Sequence, residues 1–198
     1  MKLICYKQTA DDGFAPNPYF DVLTLATCKP VIRRSKNTKI GDWIAGWTSA
    51  SARKYSTPIG KEKIIYLAKI TDIIPISQYW TEYPQKRPTL SNGNNAVEAF
   101  GDNIYEPDAS TVDGYVSHAV KMHCKESFLK KDTKGVNVLI CKEFYYFGAK
   151  KALDIPAEIK CDFNEIPRGH KFFDGEKRIQ KFIDFVRSNK RLAEKINK

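Results

Sequence analysis

Five or six short β-rich segments, each closed off by glycine, proline or Asn/Asp turn residues, precede a single long amphipathic stretch at the C-terminal end. That order, several short strands with one long helix at the end, points to α+β. The segments are Lys2–Lys7, Asp21–Ala26, Gly41–Trp47, Lys63–Thr71, Gly114–Val120 and Gly135–Cys141, with the aromatic run Glu143–Gly148 too apolar for a surface loop. In Gly41–Trp47 the period-two spacing puts Trp43, Ala45 and Trp47 on one face. Pro75 opens a short helix over Ile76–Tyr83, since a missing N–H is harmless in a first turn. The stretches 8–18, 49–60, 84–95 and 156–167 read as loops or irregular chain. A small, partly closed, PUA-like β-barrel is the expected way to bury so many strands. Ile179, Phe182, Ile183 and Val186 recur at helical spacing, so Asp174–Asn197 is expected to be one helix with Asp174 as its N-cap. Residues 1–170 would form the domain and 171–198 a basic helix packed on it or extending from it.

At 198 residues, 42% of them apolar and 12% aromatic, the chain can build a proper core. No apolar run approaches the roughly 20 residues of a membrane helix, and the N-terminal MKLICYKQTADD is too short in apolar residues for a signal peptide. A cytoplasmic location without membrane association is expected. The five cysteines include no CxxC pair, so a disulfide framework and a zinc knuckle are both disfavoured, and no metal or cofactor is expected. Walker, GxSxG, HExxH and dinucleotide fingerprints are absent from the sequence. The net charge is +10, and residues 171–198 hold nine Lys/Arg against four Asp/Glu, half of that excess. Such a balance favours polyanionic partners: nucleotides or nucleic acid.

The segment Cys28–Ser49 concentrates the chemistry. Lys29, Arg33, Arg34, Lys36 and Lys39 come without an intervening carboxylate, then a Gly41-Asp42 turn leads into the tryptophan strand. Arginine grips phosphate through a rigid fork, so Lys29, Arg33 and Arg34 are candidate phosphate ligands, with Trp43 a candidate stacking platform. The loop DDGFAPNPYF, stiffened by two prolines, offers Phe14 and Asn17. In GDNIY, Asp102 and Asn103 sit side by side, and a carboxamide presents the donor and acceptor needed to read a base edge. Asp102 with His118 is the candidate acid–base pair, with His123 competing for the histidine's place. Cys28 lies among cations, which suits a reactive thiol, but no base is identifiable near it in the sequence.

The blocks DDGFAPNPYF, TLATCKPVIRRS, GDWIAGW, GDNIY and VLICKEFYYFG, in this order, resemble the nucleotide modification associated domain 2 family over residues 2–157. That family occurs in bacteria and phages and takes its name from association with DNA-base modification systems. IGDWIAGW, followed by YLAKITDI and Tyr79-Trp80, is similar to EVE and ASCH domains, PUA-like barrels that hold a base or nucleotide in a pocket. The resemblance implies site positions at Phe14, Asn17, Cys28, Lys29, Arg33, Asp42, Trp43, Asp102, Asn103, Tyr105, His118 and Tyr146. The expected function is binding of a nucleotide or modified nucleobase, free or in nucleic acid. The alternatives are an enzyme that modifies or hydrolyses it, and a phage protein that sequesters a nucleotide signal.

Overall fold

In the computed structural model, which describes residues 1–50, 53–54, 57–58, 62–90, 97–164, 166–167 and 169–193, the alternating apolar segments do become strands. In chain order they are β1 (Leu3–Gln8), β2 (Leu23–Leu25), β3 (Trp43–Thr48), β4 (Arg53–Lys54), β5 (Thr57–Pro58), β6 (Ile64–Lys69), β7 (Asp72–Pro75), β8 (Tyr105–Pro107), β9 (Tyr115–Ser117), β10 (Asn137–Cys141), β11 (Glu143–Tyr146) and β12 (Lys171–Phe173). The α-helices are α1 (Pro30–Arg33), α2 (Ile76–Glu82), α3 (Glu126–Thr133), α4 (Ala157–Lys160) and α5 (Glu176–Ser188). The α+β expectation holds. The described strands lie in sheets of five, three, two and two strands with no closed barrel among them, so a PUA-like barrel is not confirmed. The loop expected over 49–60 falls largely outside the described residues, as does 91–95 of the loop expected over 84–95.

The chain divides into two compact units. The first comprises Met1–Asp12, Ile40–Ile70 and Lys142–Lys195. It holds the five-stranded sheet in the order β11-β6-β3-β1-β12, where β1 and β3 run parallel and the other pairs antiparallel. One face carries Leu3, Cys5, Trp43, Ala45, Trp47 and Leu67, the period-two set of three neighbouring strands. Onto this core packs the apolar stripe of α5: Ile179, Phe182, Ile183 and Val186. The Phe182 ring stacks on Trp47 with centroids 5.8 Å apart and 9° between planes. The basic C-terminal helix therefore packs on a core instead of extending from it. It is shorter than its periodicity implies, ending at Ser188, and its N-cap is Gly175 at φ 102°, not Asp174.

Among the described residues the second unit comprises Gly13–Lys39 and Thr71–Cys141. Its three-stranded antiparallel sheet runs β2-β10-β7, and β8 with β9 makes a separate hairpin. The core gathers Phe14, Val22, Ile74, Ile76, Tyr79, Ile104, Tyr105, Leu129, Val138 and Ile140. The α2 helix begins after Pro75, as the proline implies. The α3 helix, rich in lysine and weakly amphipathic, has no clear signal in the sequence. Its buried residues are Leu129 and Asp132.

Candidate functional site

The second unit places Cys28 three residues past the end of β2, on a chain that must turn sharply before α1 begins at Pro30. Cys28 and Lys29 both take left-handed backbone, at φ 56° and 41°. For residues with a Cβ this costs roughly 1–2 kcal/mol each and persists only where surrounding bonds impose it. The bonds are present. Asp132 Oδ1 accepts the Cys28 backbone N–H at 2.8 Å, and Arg33 Nε donates to the Cys28 carbonyl at 2.9 Å. His123, also left-handed at φ 59°, points Nε2 at Cys28 Sγ, 3.6 Å away, in range for the larger sulfur atom. Its other nitrogen, Nδ1, meets Asp132 Oδ2 at 2.5 Å. The ring is held flat on Phe128, centroids 4.1 Å apart, and edge-on to Phe14 at 4.9 Å. Thiol, imidazole and carboxylate thus form one connected line.

Asp132 is fully buried in the last turn of α3, where the helix dipole disfavours an anion. It is tolerated because donors converge on it: the Cys28 N–H, the His123 ring and the Tyr105 hydroxyl at 2.8 Å. Burial and the Asp132 charge together push the Tyr105 phenol up. Burial pulls the His123 imidazole down, but the bonds to Asp132 and Cys28 outweigh it and push its pKa up to about 9. The raised pKa favours the imidazolium form, with one N–H on the carboxylate and the other facing sulfur.

The three side chains could also be read as metal ligands, their atoms all within 4.8 Å of one another. The geometry argues against it. Ligands at tetrahedral zinc distances sit about 3.3 Å apart, so an N–O separation of 2.5 Å is a hydrogen bond and not an edge of a coordination shell. Asp132's oxygens are already engaged by nitrogen and hydroxyl donors.

The sequence-derived candidates fall into three groups. Phe14, Cys28, Arg33 and Tyr105 gather with His123 and Asp132. Arg33 does so in a role other than phosphate contact: it is 1% exposed, and its guanidinium donates to the carbonyls of Cys28, Asp132 (2.5 Å) and Asn137 (2.7 Å). Burial lowers its pKa to about 10, against the pull of Asp132, so it stays charged. Lys29 is half-buried beside Cys28, its pKa pulled down by burial, and Arg34 is exposed.

Asn17, Asp102 and Asn103 form a second, buried network in the same unit. Asp102 accepts from the Tyr79 hydroxyl at 2.6 Å and from Thr24 Oγ1 at 2.8 Å. Lys86, fully buried, donates to the Asn17 carbonyl, Asn17 Oδ1 and the Val22 carbonyl. Burial raises the Asp102 carboxyl and lowers the Lys86 ammonium to about 8, each opposed by the other's charge. Asn103 Nδ2 caps carbonyls at the end of α2, those of Tyr79 and Tyr83. These residues cross-brace loops. The expected acid–base pair is not assembled, because His118 bonds Glu106 at 2.6 Å on the surface and stacks on Trp80.

Asp42, Trp43 and Tyr146 belong to the first unit. Asp42 accepts the Lys2 N–H at 2.8 Å and shapes the turn into β3. Trp43 is 2% exposed within the core, so its ring is packed away and offers no stacking face. The Tyr146 hydroxyl donates to Asp11 at 2.7 Å. The residues that sequence reasoning missed are His123 as the partner of Cys28, and Asp132. Their one signal is a lone Asp on a buried helical position between lysines, KKDTK, beside the His-Cys pair 123–124.

An α+β protein with a cysteine–histidine–aspartate line in one unit is the class that fold and site define. The family model for nucleotide modification associated domain 2 matches residues 1–195, and the chain belongs to that family. Comparison with curated proteins and with solved structures returns no match. Among the described residues no helix is long and apolar enough to cross a membrane.

Proposed function

We propose that this protein is an enzyme of nucleotide or nucleobase modification that works through Cys28 as a covalent nucleophile. The family supplies the nucleotide context. The observation that carries the chemistry is the line Cys28 Sγ–His123–Asp132, with 3.6 Å and 2.5 Å between successive partners. A nucleophile, a base within reach and a third group that orients the base are the parts covalent catalysis requires. With the thiol proton carried by His123, the Cys28 sulfur attacks an electron-poor carbon of the substrate and forms an S–C bond. The His123 Nε2 proton passes to the departing group. Neutral His123 then takes a proton from the incoming acceptor, water or another nucleophile, as that acceptor displaces sulfur and frees Cys28. Asp132 holds Nδ1–H throughout, so Nε2 always faces the reaction. Lys29 and Arg34 supply cationic character for a phosphate-bearing substrate. Binding without turnover, and a PUA-like mode of holding the base, belong to the expectation from sequence; the assembled line favours catalysis over binding alone.

The test is incubation of wild-type protein and Cys28→Ser with deoxynucleotides, ribonucleotides and duplex DNA, followed by mass spectrometry of the recovered nucleosides. A new or missing nucleoside with wild type, unchanged with Cys28→Ser, supports the reading. A nucleotide that binds tightly and is recovered intact replaces it with the binding or sequestering function.

A further inference from the structure

We infer that Arg33 is a positioning residue: its buried guanidinium fixes the distance between the Cys28 nucleophile and the Asp132 carboxylate that orients His123. The inference rests on the thiol-site reading above, and its test is arranged so that the two can fail separately.

The argument is geometric. The Cys28 peptide is gripped from both sides: its N–H by Asp132 Oδ1 at 2.8 Å, its carbonyl by Arg33 Nε at 2.9 Å. The same guanidinium donates through a terminal nitrogen to the Asp132 carbonyl at 2.5 Å and through the other to the Asn137 carbonyl at 2.7 Å. Asn137 returns a bond from Nδ2 to the Arg33 carbonyl at 3.3 Å. One planar fork therefore ties together the loop that carries the nucleophile, the end of α3 and the start of β10. A lysine ammonium is a compact point charge without that fork and cannot span three carbonyls set in different directions. The space around the guanidinium is equally specific. A Cβ built on Gly135 would lie 2.3 Å from Arg33 Cζ, so only glycine leaves room for the fork.

This arrangement explains why one arginine of a cationic loop is buried while its neighbour Arg34 is exposed. Its three donor positions are aimed at carbonyls, none of them at the side chain of Asp132. The carboxylate is left to the imidazole, the Cys28 N–H and Tyr105. The left-handed backbone at Cys28 and Lys29 is the strained element that the fork holds in place. The titratable and charged groups that face Cys28 are His123 from the loop before α3, Asp132 from α3, Tyr105 from β8, and Lys29 and Arg33 from its own segment; Lys131 of α3 faces Lys29.

The experiment is the rate of iodoacetamide alkylation of Cys28 against pH, read peptide by peptide, in wild type, Arg33→Lys and Gly135→Ala. Exposed Cys124 and Cys161 are internal references. Wild type is expected to alkylate at Cys28 well ahead of both references at pH 6. Arg33→Lys is expected to slow Cys28 about tenfold there, as one charge-assisted bond would, and to move its profile toward that of the references. Gly135→Ala, which keeps the arginine and displaces its fork, is expected to do the same. Circular dichroism melts establish that each variant is folded. If wild-type Cys28 reacts no faster than Cys124 and Cys161, the thiol-site reading fails. If wild type is fast and a folded variant keeps both rate and profile, the role of Arg33 alone is overturned. Should neither variant fold, the Nε–H resonance of Arg33 in nitrogen-15-labelled wild type decides. A chemical shift that follows His123 with a midpoint about 9 supports the link, and one flat across that range refutes it.

Discussion

Asp132→Asn is the sharpest perturbation of the site, because it keeps the shape of the side chain and removes one charge. The carboxylate accepts from the Cys28 N–H at 2.8 Å, the Tyr105 hydroxyl at 2.8 Å and His123 Nδ1 at 2.5 Å. A carboxamide has one acceptor oxygen. Whichever way it turns, its NH2 faces at least one of those donors. A lost charge-assisted bond costs about 1.5–3 kcal/mol, and an opposed buried donor adds to it, so unfolding stability should fall by roughly 3 kcal/mol. His123 should change more specifically. Without the carboxylate only burial and Cys28 act on it, and its pKa should drop from about 9 to about 6.5 or below. In the wild type the folded pKa lies above the unfolded value of about 6.5. The stabilisation from His123 is therefore complete below pH about 6.5 and fades as pH rises through about 9. Discounted for partial solvent access, it amounts to about 1–2 kcal/mol. Wild type should thus exceed the variant in stability by more at pH 6 than at pH 10. The assay is a proton NMR titration of the three histidines, His123 assigned by its loss in His123→Gln, together with urea melts at both pH values. A His123 that still titrates near 9 in Asp132→Asn would refute the coupling drawn between them.

Three other outcomes follow from the packing. Phe182→Ala removes the fully buried ring stacked on Trp47 and should cost about 3–5 kcal/mol in a urea melt; a loss under 1 kcal/mol would mean α5 is not a core element. Gly101→Ala drives a Cβ to 2.3 Å from the Lys86 carbonyl and 2.7 Å from Pro88 N, both backbone, and should destabilise by about 1–3 kcal/mol, with an unchanged denaturation midpoint as the contrary result. Lys86→Met strips the charge that faces buried Asp102 and orphans three acceptors; a loss of about 3–5 kcal/mol is expected by calorimetry, and near-neutrality would refute the bracing role given to Lys86.

Much of the fold was legible because it depends on period and punctuation. Trp43, Ala45 and Trp47 share a core face as their spacing implies, Pro75 starts a helix, and the stripe Ile179–Val186 is buried along its length. Sheet pairing was not legible. The parallel pairing of β1 with β3, and the separation into an open five-stranded and a three-stranded sheet, join segments that carry no mark of their neighbours. The site divides in the same way. Cys28, Arg33 and Tyr105 stood out as residue types, yet Arg33's cationic neighbours pointed to a phosphate whereas its fork meets three carbonyls. His118 and His123 were indistinguishable by position in the chain.

Local chemistry alone set the elements, the cationic loop, and the short list of groups able to do chemistry, because strand and helix periods and turn preferences act over a few residues. Which histidine meets the thiol, that Asp132 completes the line 104 residues from Cys28, and that an arginine is buried to brace it, were decided in three dimensions. Those partners are brought together by the burial of α3 against the core of the second unit, and hydrophobic burial is blind to sequence distance.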